Sequence, residues 1–161
     1  MEQWKSYKDV AKWLEENFKY DVTRLNEAEY RSLAKDTPLP IKTPEETFKS
    51  KYGICQDSVL LTIEALNKID PSYKPEVIYL RCRPEYRYDH YVCKFEIDSE
   101  MYVMDYGNSQ SNLHMNGIHG PYKSLEEYKQ YYEKNNYLGK KVNLIQYGWP
   151  PHRQKELEKK S

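Results

Sequence analysis

The chain has 161 residues, and its 25 Lys and Arg residues balance 25 Asp and Glu residues, so the formal net charge is zero. This length predicts one domain with a hydrophobic core, and the balanced charge gives no sign of nucleic-acid binding. No apolar run is long enough to span a membrane, and the polar start is not that of a signal peptide. We therefore expect neither a nucleic-acid partner nor a membrane partner.

The cysteines predict a reduced protein. Cys55, Cys82 and Cys93 are an odd number, and their spacing matches no metal-binding pair. A cytoplasmic protein without disulfides, metal or cofactor is the simplest interpretation.

Two helices and a linker are predicted before residue 43. Hydrophobic periodicity indicates an amphipathic helix over residues 3–18 and a weaker one over 22–35. Thr37–Pro40 contains two prolines, each of which disfavours helix in the residue before it, so this segment predicts a rigid linker.

The next stretch predicts two consecutive helices around one cysteine. Thr43 and Glu46 form a capping-box pattern that opens a short helix, and Gly53 is expected to end it. A second helix should begin at or just after Cys55 and stop before Asp70; it is apolar on much of its circumference, so we expect it to be largely buried. Free N–H groups and the helix dipole at its start favour a thiolate and can bind a developing oxyanion.

Three strands are predicted after the second helix. Residues 76–82, 89–97 and 101–106 are rich in β-forming residues. Asp98 and Ser99 provide a plausible two-residue hairpin turn between the last two strands.

That turn determines which side chains share a face. It pairs Ile97 with Glu100, so Asp105 lies on the same face as His90, diagonal to it and within reach. A three-residue loop would put the two on opposite faces. The predicted register leaves the other face strongly apolar, as in a half-covered sheet. That face carries Tyr91, Cys93, Phe95, Ile97, Tyr102, Met104 and Tyr106.

The C-terminal third is less regular. Residues 107–121 are rich in Gly, Asn and Ser and are predicted to form a long loop. A capping box at Ser124 opens a Tyr-rich helix that we expect to end near Gly139, and residues 141–148 are predicted to add a strand.

The order of Cys55, His90 and Asp105 resembles a known family. A Gly-x-Cys at a helix start, a His that begins a strand and an Asp that ends the next strand are similar to the transglutaminase-like cysteine proteinase superfamily. Gly53 and Cys55 match the first block, and the resemblance covers residues 43–107. The chain departs from many relatives by having Gln56 and Val92 where those carry aromatic residues.

The resemblance implies an α+β, papain-like fold, in which a buried helix presents the cysteine to an antiparallel sheet that carries His and Asp. It implies acyl transfer on a peptide or protein amide: Cys55 attacks the carbonyl, His90 moves the proton and Asp105 holds the imidazole tautomer. The backbone N–H of Cys55 is the expected oxyanion donor. Hydrolysis is the leading interpretation, and transfer to an amine is an alternative.

In this interpretation, residues 1–152 form a single domain. It comprises N-terminal helices (1–42), a catalytic core (43–107) and a C-terminal part (108–152), and the charged tail 153–161 is expected to be mobile.

Two other functions remain open from the sequence. A non-catalytic module on the same fold would bind a protein or glycan through its Tyr-rich surface and the loop at residues 107–121. A metal site that uses His114, His119 and a carboxylate is a weaker hypothesis, because loop histidines at this spacing rarely bind metal.

Overall fold

The computed structural model describes residues 1–31, 38–86 and 88–160. The helices are α1 (Tyr7–Asn17), α2 (Val22–Tyr30), α3 (Pro44–Ser50), α4 (Cys55–Ile69), α5 (Leu125–Asn135) and α6 (Pro151–Lys160). The strands are β1 (Lys19–Tyr20), β2 (Tyr52–Gly53), β3 (Glu76–Arg81), β4 (His90–Ile97), β5 (Glu100–Asp105), β6 (Gly117–Tyr122) and β7 (Leu144–Tyr147).

Five strands form one antiparallel sheet, in the order β6-β5-β4-β3-β7. β1 and β2 form a separate parallel pair, in which Tyr20 lies opposite Gly53. Helices and an antiparallel sheet in one chain confirm the predicted α+β class.

The β4–β5 hairpin has the predicted register. Ile97 pairs with Glu100, and Cys93 pairs with Met104. Asp98 and Ser99 have φ values of 52° and 67°, and positive φ at both central residues is the mark of a type I′ turn. The turn matches the twist of the strands, and it places His90 and Asp105 on one face of the sheet.

Both faces of the sheet are covered, so the prediction of a half-covered sheet is wrong. Helices α1 and α4 cover the predicted apolar face, and α5 covers the face that carries His90 and Asp105. The α5 face includes the fully buried side chains of Ile78, Leu80, Val92, Val103, Tyr128 and Tyr132. The Tyr-rich sequence of α5 did not predict that this helix covers the sheet, because tyrosines occur on surfaces and in cores alike.

Helix α3 opens with the predicted capping box, in which Thr43 and Glu46 exchange hydrogen bonds. Its end differs from the prediction. Lys51 adopts the left-handed conformation with φ of 62°, and Gly53 lies in β2. Gly53 is needed for space, because a Cβ there would lie 2.9 Å from the Cβ of Asp57.

The predicted loop at residues 107–121 contains regular structure. A short 3-10 helix spans Gln110–Met115, and β6 pairs with β5 at the edge of the sheet. Pro121 is tolerated because an edge strand needs fewer backbone donors than a central one. Helix α5 ends at Asn135, earlier than predicted, and the strand predicted at 141–148 is the shorter β7.

The C-terminal end of helix α2 and the last residues of the chain also differ from the prediction. Helix α2 ends at Tyr30, and the remainder of the helix predicted to residue 35 lies largely outside the described residues, as does Thr37. A mobile tail was predicted from Arg153, but residues 151–160 form α6. Arg153 is buried and donates a 2.6 Å hydrogen bond to the carbonyl oxygen of Leu39, which attaches this helix to the domain.

Candidate active site

A buried carboxylate fixes the start of helix α4. Asp57 is fully buried and accepts hydrogen bonds from the backbone N–H groups of Ile54, at 2.9 Å, and Lys42, at 2.8 Å. Arg24 adds a paired contact to both carboxylate oxygens, at 2.7 and 3.0 Å. The Asp57 side chain thus ties α2, the segment before α3 and the helix start together, two residues after Cys55.

Cys55 is the first residue of α4, as predicted, and its side chain faces a cavity of about 890 Å³. It is 8% exposed. The cavity is also lined by Tyr20, His90, Asn108 and Lys140. A thiol at a helix N-terminus beside an open cavity is accessible to a molecule that enters the cavity.

His90 and Asp105 form a buried hydrogen-bonded pair. The Nε2 atom of His90 lies 2.9 Å from Oδ2 of Asp105, and both residues are almost fully buried. Because a carboxylate accepts, Nε2–H donates, and Nδ1 is left as the ring nitrogen that can accept a proton. The diagonal relationship predicted from the register therefore brings these two side chains into contact.

Electrostatics favour a charged imidazole. Burial lowers the pKa of His90, but the charge and hydrogen bond of Asp105, followed by the interaction with Cys55, outweigh it and raise the pKa to about 9. Burial raises the pKa of Asp105, but the charge and hydrogen bond of His90 reverse this and hold the pKa below its ordinary value. The site therefore stabilises a positive His90 between Asp105 and the thiol.

The backbone after β5 connects Asp105 to Cys55. Gly107 donates a 3.2 Å hydrogen bond to Oδ1 of Asp105. On its other side, Gly107 packs on the backbone of Cys55, where an added Cβ would lie 2.7 Å from the Cβ of Cys55. One residue thus sets the spacing between the end of β5 and the start of α4.

Two tyrosines contact this site, and the sequence reasoning missed both. Tyr132 of α5 stacks on the imidazole of His90, with ring centroids 5.5 Å apart and an interplanar angle of 21°. Tyr20 lines the cavity beside Cys55, and its hydroxyl has no hydrogen-bond partner in the part of the chain that the structure describes. Burial and then the charge of Cys55 raise the pKa of Tyr20, so it remains a donor. Neither residue has a local motif, because pairing of distant segments brings them here.

The two histidines of the metal hypothesis contact other groups. His114 donates from Nε2 to the carbonyl oxygen of Asn135 at 2.6 Å. His119 donates from Nε2 to Met115, also at 2.6 Å, and its Nδ1 lies 3.0 Å from the hydroxyl of Tyr131. Within residues 1–31, 38–86 and 88–160, no group of three His, Cys, Asp or Glu side chains is arranged to hold a metal ion.

Comparison with known proteins identifies the family. A family model described as a transglutaminase-like domain matches residues 1–142. The chain belongs to the transglutaminase-like family. The match extends well beyond residues 43–107, so the N-terminal helices and α5 are part of the transglutaminase-like unit.

A curated relative is similar over part of its length. A UPF0252 protein of Methanocaldococcus jannaschii is 29% identical over 99 residues, which is 60% of this chain and 27% of that protein. This transglutaminase-like chain thus spans about a quarter of the relative that it matches.

In the described residues, no helix has the length and apolar character needed to cross a membrane.

Proposed function

We propose that the protein is a cysteine-dependent hydrolase that cleaves a peptide or protein amide through a thioester. The observation that supports this proposal most strongly is the spatial order of Cys55, His90 and Asp105 relative to the cavity. Cys55 and His90 line the cavity, and Asp105 lies behind His90 at hydrogen-bond distance. This is the arrangement of nucleophile, base and orienting group that thiol catalysis requires.

In the proposed reaction, the proton of the Cys55 thiol first passes to Nδ1 of His90, which forms the imidazolium, and the thiolate sulfur then bonds to the amide carbonyl carbon. The tetrahedral intermediate collapses as the C–N bond breaks, and His90 returns the proton to the leaving amine. Water then attacks the thioester, the S–C bond breaks, and a carboxylic acid and the free thiol are released. Asp105 keeps Nε2 protonated and stabilises the imidazolium through both halves of the reaction.

The developing oxyanion needs preorganised donors. The backbone N–H of Cys55 at the start of α4 is one candidate, as the helix position suggests. We propose the hydroxyl of Tyr20 as the second, because it lines the cavity beside Cys55 and has no other partner among the described residues.

The test uses a library of proteome-derived peptides in water labelled with ¹⁸O, with and without methylamine. Hydrolysis by the wild-type protein would create new carboxylates that carry ¹⁸O, whereas transfer to an amine would create methylamides. Neither product should form with Cys55→Ala or His90→Ala. If Cys55→Ala gives the same products as the wild type, or the wild type gives none, the proposal is wrong and a binding module becomes the better explanation.

Reactivity of the thiols provides an independent test that needs no substrate. Iodoacetamide should modify Cys55 faster than Cys82 and Cys93, and His90→Ala should slow it. Burial raises the pKa of Cys82 to about 11 and raises that of the fully buried Cys93 further, so these two thiols are matched internal controls. Equal rates at all three would contradict a primed nucleophile.

A further inference from the structure

A buried lysine lines the same cavity without a carboxylate partner. Lys140 is 8% exposed, and its Nζ lies 4.6 Å from the ring centroid of Tyr86. No Asp or Glu in the described part of the chain lies within ion-pair distance of it. Other cations of the cavity wall differ: Arg83 pairs with Asp89 at 2.9 Å. Lys140 is thus a cation in the cavity wall that has no carboxylate at ion-pair distance among the residues that the structure describes.

The position of Lys140 is set by the helix that packs on His90. The side chain of Asn136 donates to the carbonyl oxygen of Lys140 at 3.2 Å and accepts from its N–H at 2.8 Å. The same amide donates to the carbonyl oxygen of Tyr132 at 2.9 Å, and Tyr132 stacks on His90. Tyr132, which stacks on the imidazole, and Asn136, which binds the backbone of Lys140, therefore belong to one continuous segment.

A buried ammonium without an anion is costly, and such groups are usually paired. Burial lowers the pKa of Lys140, while the charges of Cys82, Cys55 and Asp105 act in the opposite direction. Lys140 lines the same cavity as Cys55 and His90, which are groups of the proposed reaction. The tyrosine ring offsets part of the cost, as cation–π contacts do. An anionic group of a bound ligand would supply the missing counter-charge.

We propose that Lys140 binds a carboxylate of the substrate, so that the preferred substrates carry a carboxylate near the amide that Cys55 attacks. The inference rests on the proposed function and narrows its substrate class. An ammonium–carboxylate contact inside a cavity is charge-assisted and orients the substrate as well as binding it. The carboxylate can belong to the C-terminus of a chain or to an acidic side chain, and the two sources present the same chemistry.

The experiment measures the alkylation rate of Cys55 by paired iodoacetyl probes and reads the modified peptide by mass spectrometry. N-iodoacetylglycine carries a terminal carboxylate, and N-iodoacetylglycinamide is its neutral twin. N-iodoacetyl-aspartic acid α-amide carries a side-chain carboxylate instead, and its neutral twin is the corresponding asparagine amide. For each pair, the ratio of charged to neutral rates is normalised to the ratio for N-acetylcysteinamide in solution, a thiol that carries no carboxylate.

For at least one pair, the wild-type ratio should exceed the solution ratio by about tenfold, as expected of a charge-assisted contact. The pair that shows it identifies the source of the carboxylate. Lys140→Met and Lys140→Gln should bring the ratio close to the solution value, whereas Lys140→Arg should keep most of it. Lys141→Met is the matched control, because this neighbouring lysine is exposed, and it should leave the ratio unchanged.

A wild-type protein without carboxylate preference overturns the proposal, and this result does not depend on the folding of any variant. An unchanged ratio in folded Lys140→Met or Lys140→Gln also overturns it, as does an equal loss in Lys141→Met. The neutral probes keep the two proposals apart. Slow modification of Cys55 by the neutral probes would contradict the proposed function, while the change in the ratio of paired rates between the wild type and the Lys140 variants reports on Lys140.

Discussion

Gly107 lies directly against Cys55, and no other amino acid fits there without movement. A Cβ at residue 107 would lie 2.7 Å from the Cβ of Cys55 and 3.1 Å from the hydroxyl oxygen of Ser58. The contact holds the end of β5 against the first turn of α4. Because Gly107 also donates to Asp105, it sets the distance between the proposed nucleophile and the carboxylate that orients His90.

Gly107→Ala should therefore destabilise the protein by about 1–3 kcal/mol, the usual effect of overpacking, and should change the alkylation rate of Cys55. Urea unfolding and iodoacetamide kinetics measure the two effects. Gly139→Ala is the control, because a Cβ at residue 139 would meet no other atom within 4 Å. Gly139 has a positive φ of 66°, so this variant should lose stability only through backbone strain. Cys55 should react with iodoacetamide as in the wild type. If Gly107→Ala changed neither quantity, the close approach would be absent in solution.

Asp57 should be essential for the stability of the helix start. Its charge is paired with Arg24, and its side chain is fully buried. Asp57→Asn leaves the Arg24 charge without its partner and places an amide donor against the guanidinium, so we expect a loss of about 3–5 kcal/mol in the free energy of unfolding.

The matched control for Asp57→Asn is Glu45→Gln, which breaks an exposed pair with Lys49 on the first turns of α3. Water screens such a pair, so this variant should unfold at nearly the same urea concentration as the wild type. Equal effects of the two substitutions would show that the Asp57 contacts do not hold α4.

The part of the site that the sequence predicted depends on local rules. Asp98 and Ser99 form a two-residue turn, and once that turn is chosen the period of two along each strand determines that His90 and Asp105 share a face. The start of α4 at Cys55 likewise follows from the hydrophobic periodicity of the residues after it.

The missed part depends on contacts between distant segments. Arg24 reaches Asp57 across 33 residues, and Tyr20 and Lys140 join the cavity from opposite ends of the chain. Strand β6 was missed for the same reason, because Gly120 and Pro121 indicate a loop locally and become a strand only through pairing with β5.

The charged pair of His90 and Asp105 should give the stability a characteristic dependence on pH. The folded pKa of His90 is raised to about 9 from an unfolded value of 6.5, so its contribution is complete below about pH 6.5 and is lost as the pH rises through 9. The folded pKa of Asp105 is lowered, so its contribution is present above the ordinary value of 3.8 and is lost as the pH falls through the folded value.

The measurement is urea unfolding from pH 3 to 10 for the wild type and for His90→Gln combined with Asp105→Asn, which removes both titrating groups. The difference in the free energy of unfolding should be largest between about pH 4 and 6.5 and should fall by on the order of 3 kcal/mol towards pH 9. All other groups titrate alike in the two proteins, so their contributions cancel in this difference. A difference that stays flat from pH 6 to 9 would contradict a positively charged His90 in the folded protein.

Tyr20→Phe tests the proposed oxyanion donor by removing one hydroxyl and keeping the ring. With a peptide found in the labelled-water assay, kcat should fall by about 10²–10³ while KM changes little, because the oxyanion forms only in the transition state. Alkylation of Cys55 by iodoacetamide should be unchanged, since that reaction passes through no oxyanion.

Tyr88→Phe serves as the control for Tyr20→Phe. Tyr88 lines the same cavity, but its hydroxyl donates to Glu29 at 2.8 Å and is committed to that contact. It should keep kcat within a few-fold of the wild type. A rise in KM together with a fall in kcat in Tyr20→Phe, or an equal loss of kcat in Tyr88→Phe, would argue for a packing role and against oxyanion binding.

Tyr132→Phe should stabilise the protein, which is unusual for a substitution in a core. The hydroxyl of Tyr132 is buried and has no hydrogen-bond partner among the described residues, and an unsatisfied buried hydroxyl costs about 1–3 kcal/mol. The phenylalanine ring can keep the stacking contact with His90, so the alkylation rate of Cys55 should be preserved.

Tyr131→Phe removes the same atom one residue earlier, but there the hydroxyl contacts Nδ1 of His119 at 3.0 Å, so stability should fall by about 0.5–1.5 kcal/mol. Urea unfolding of the two variants side by side should therefore give shifts of opposite sign, and a loss of stability in Tyr132→Phe would mean that its hydroxyl has a partner, such as a buried water, in solution.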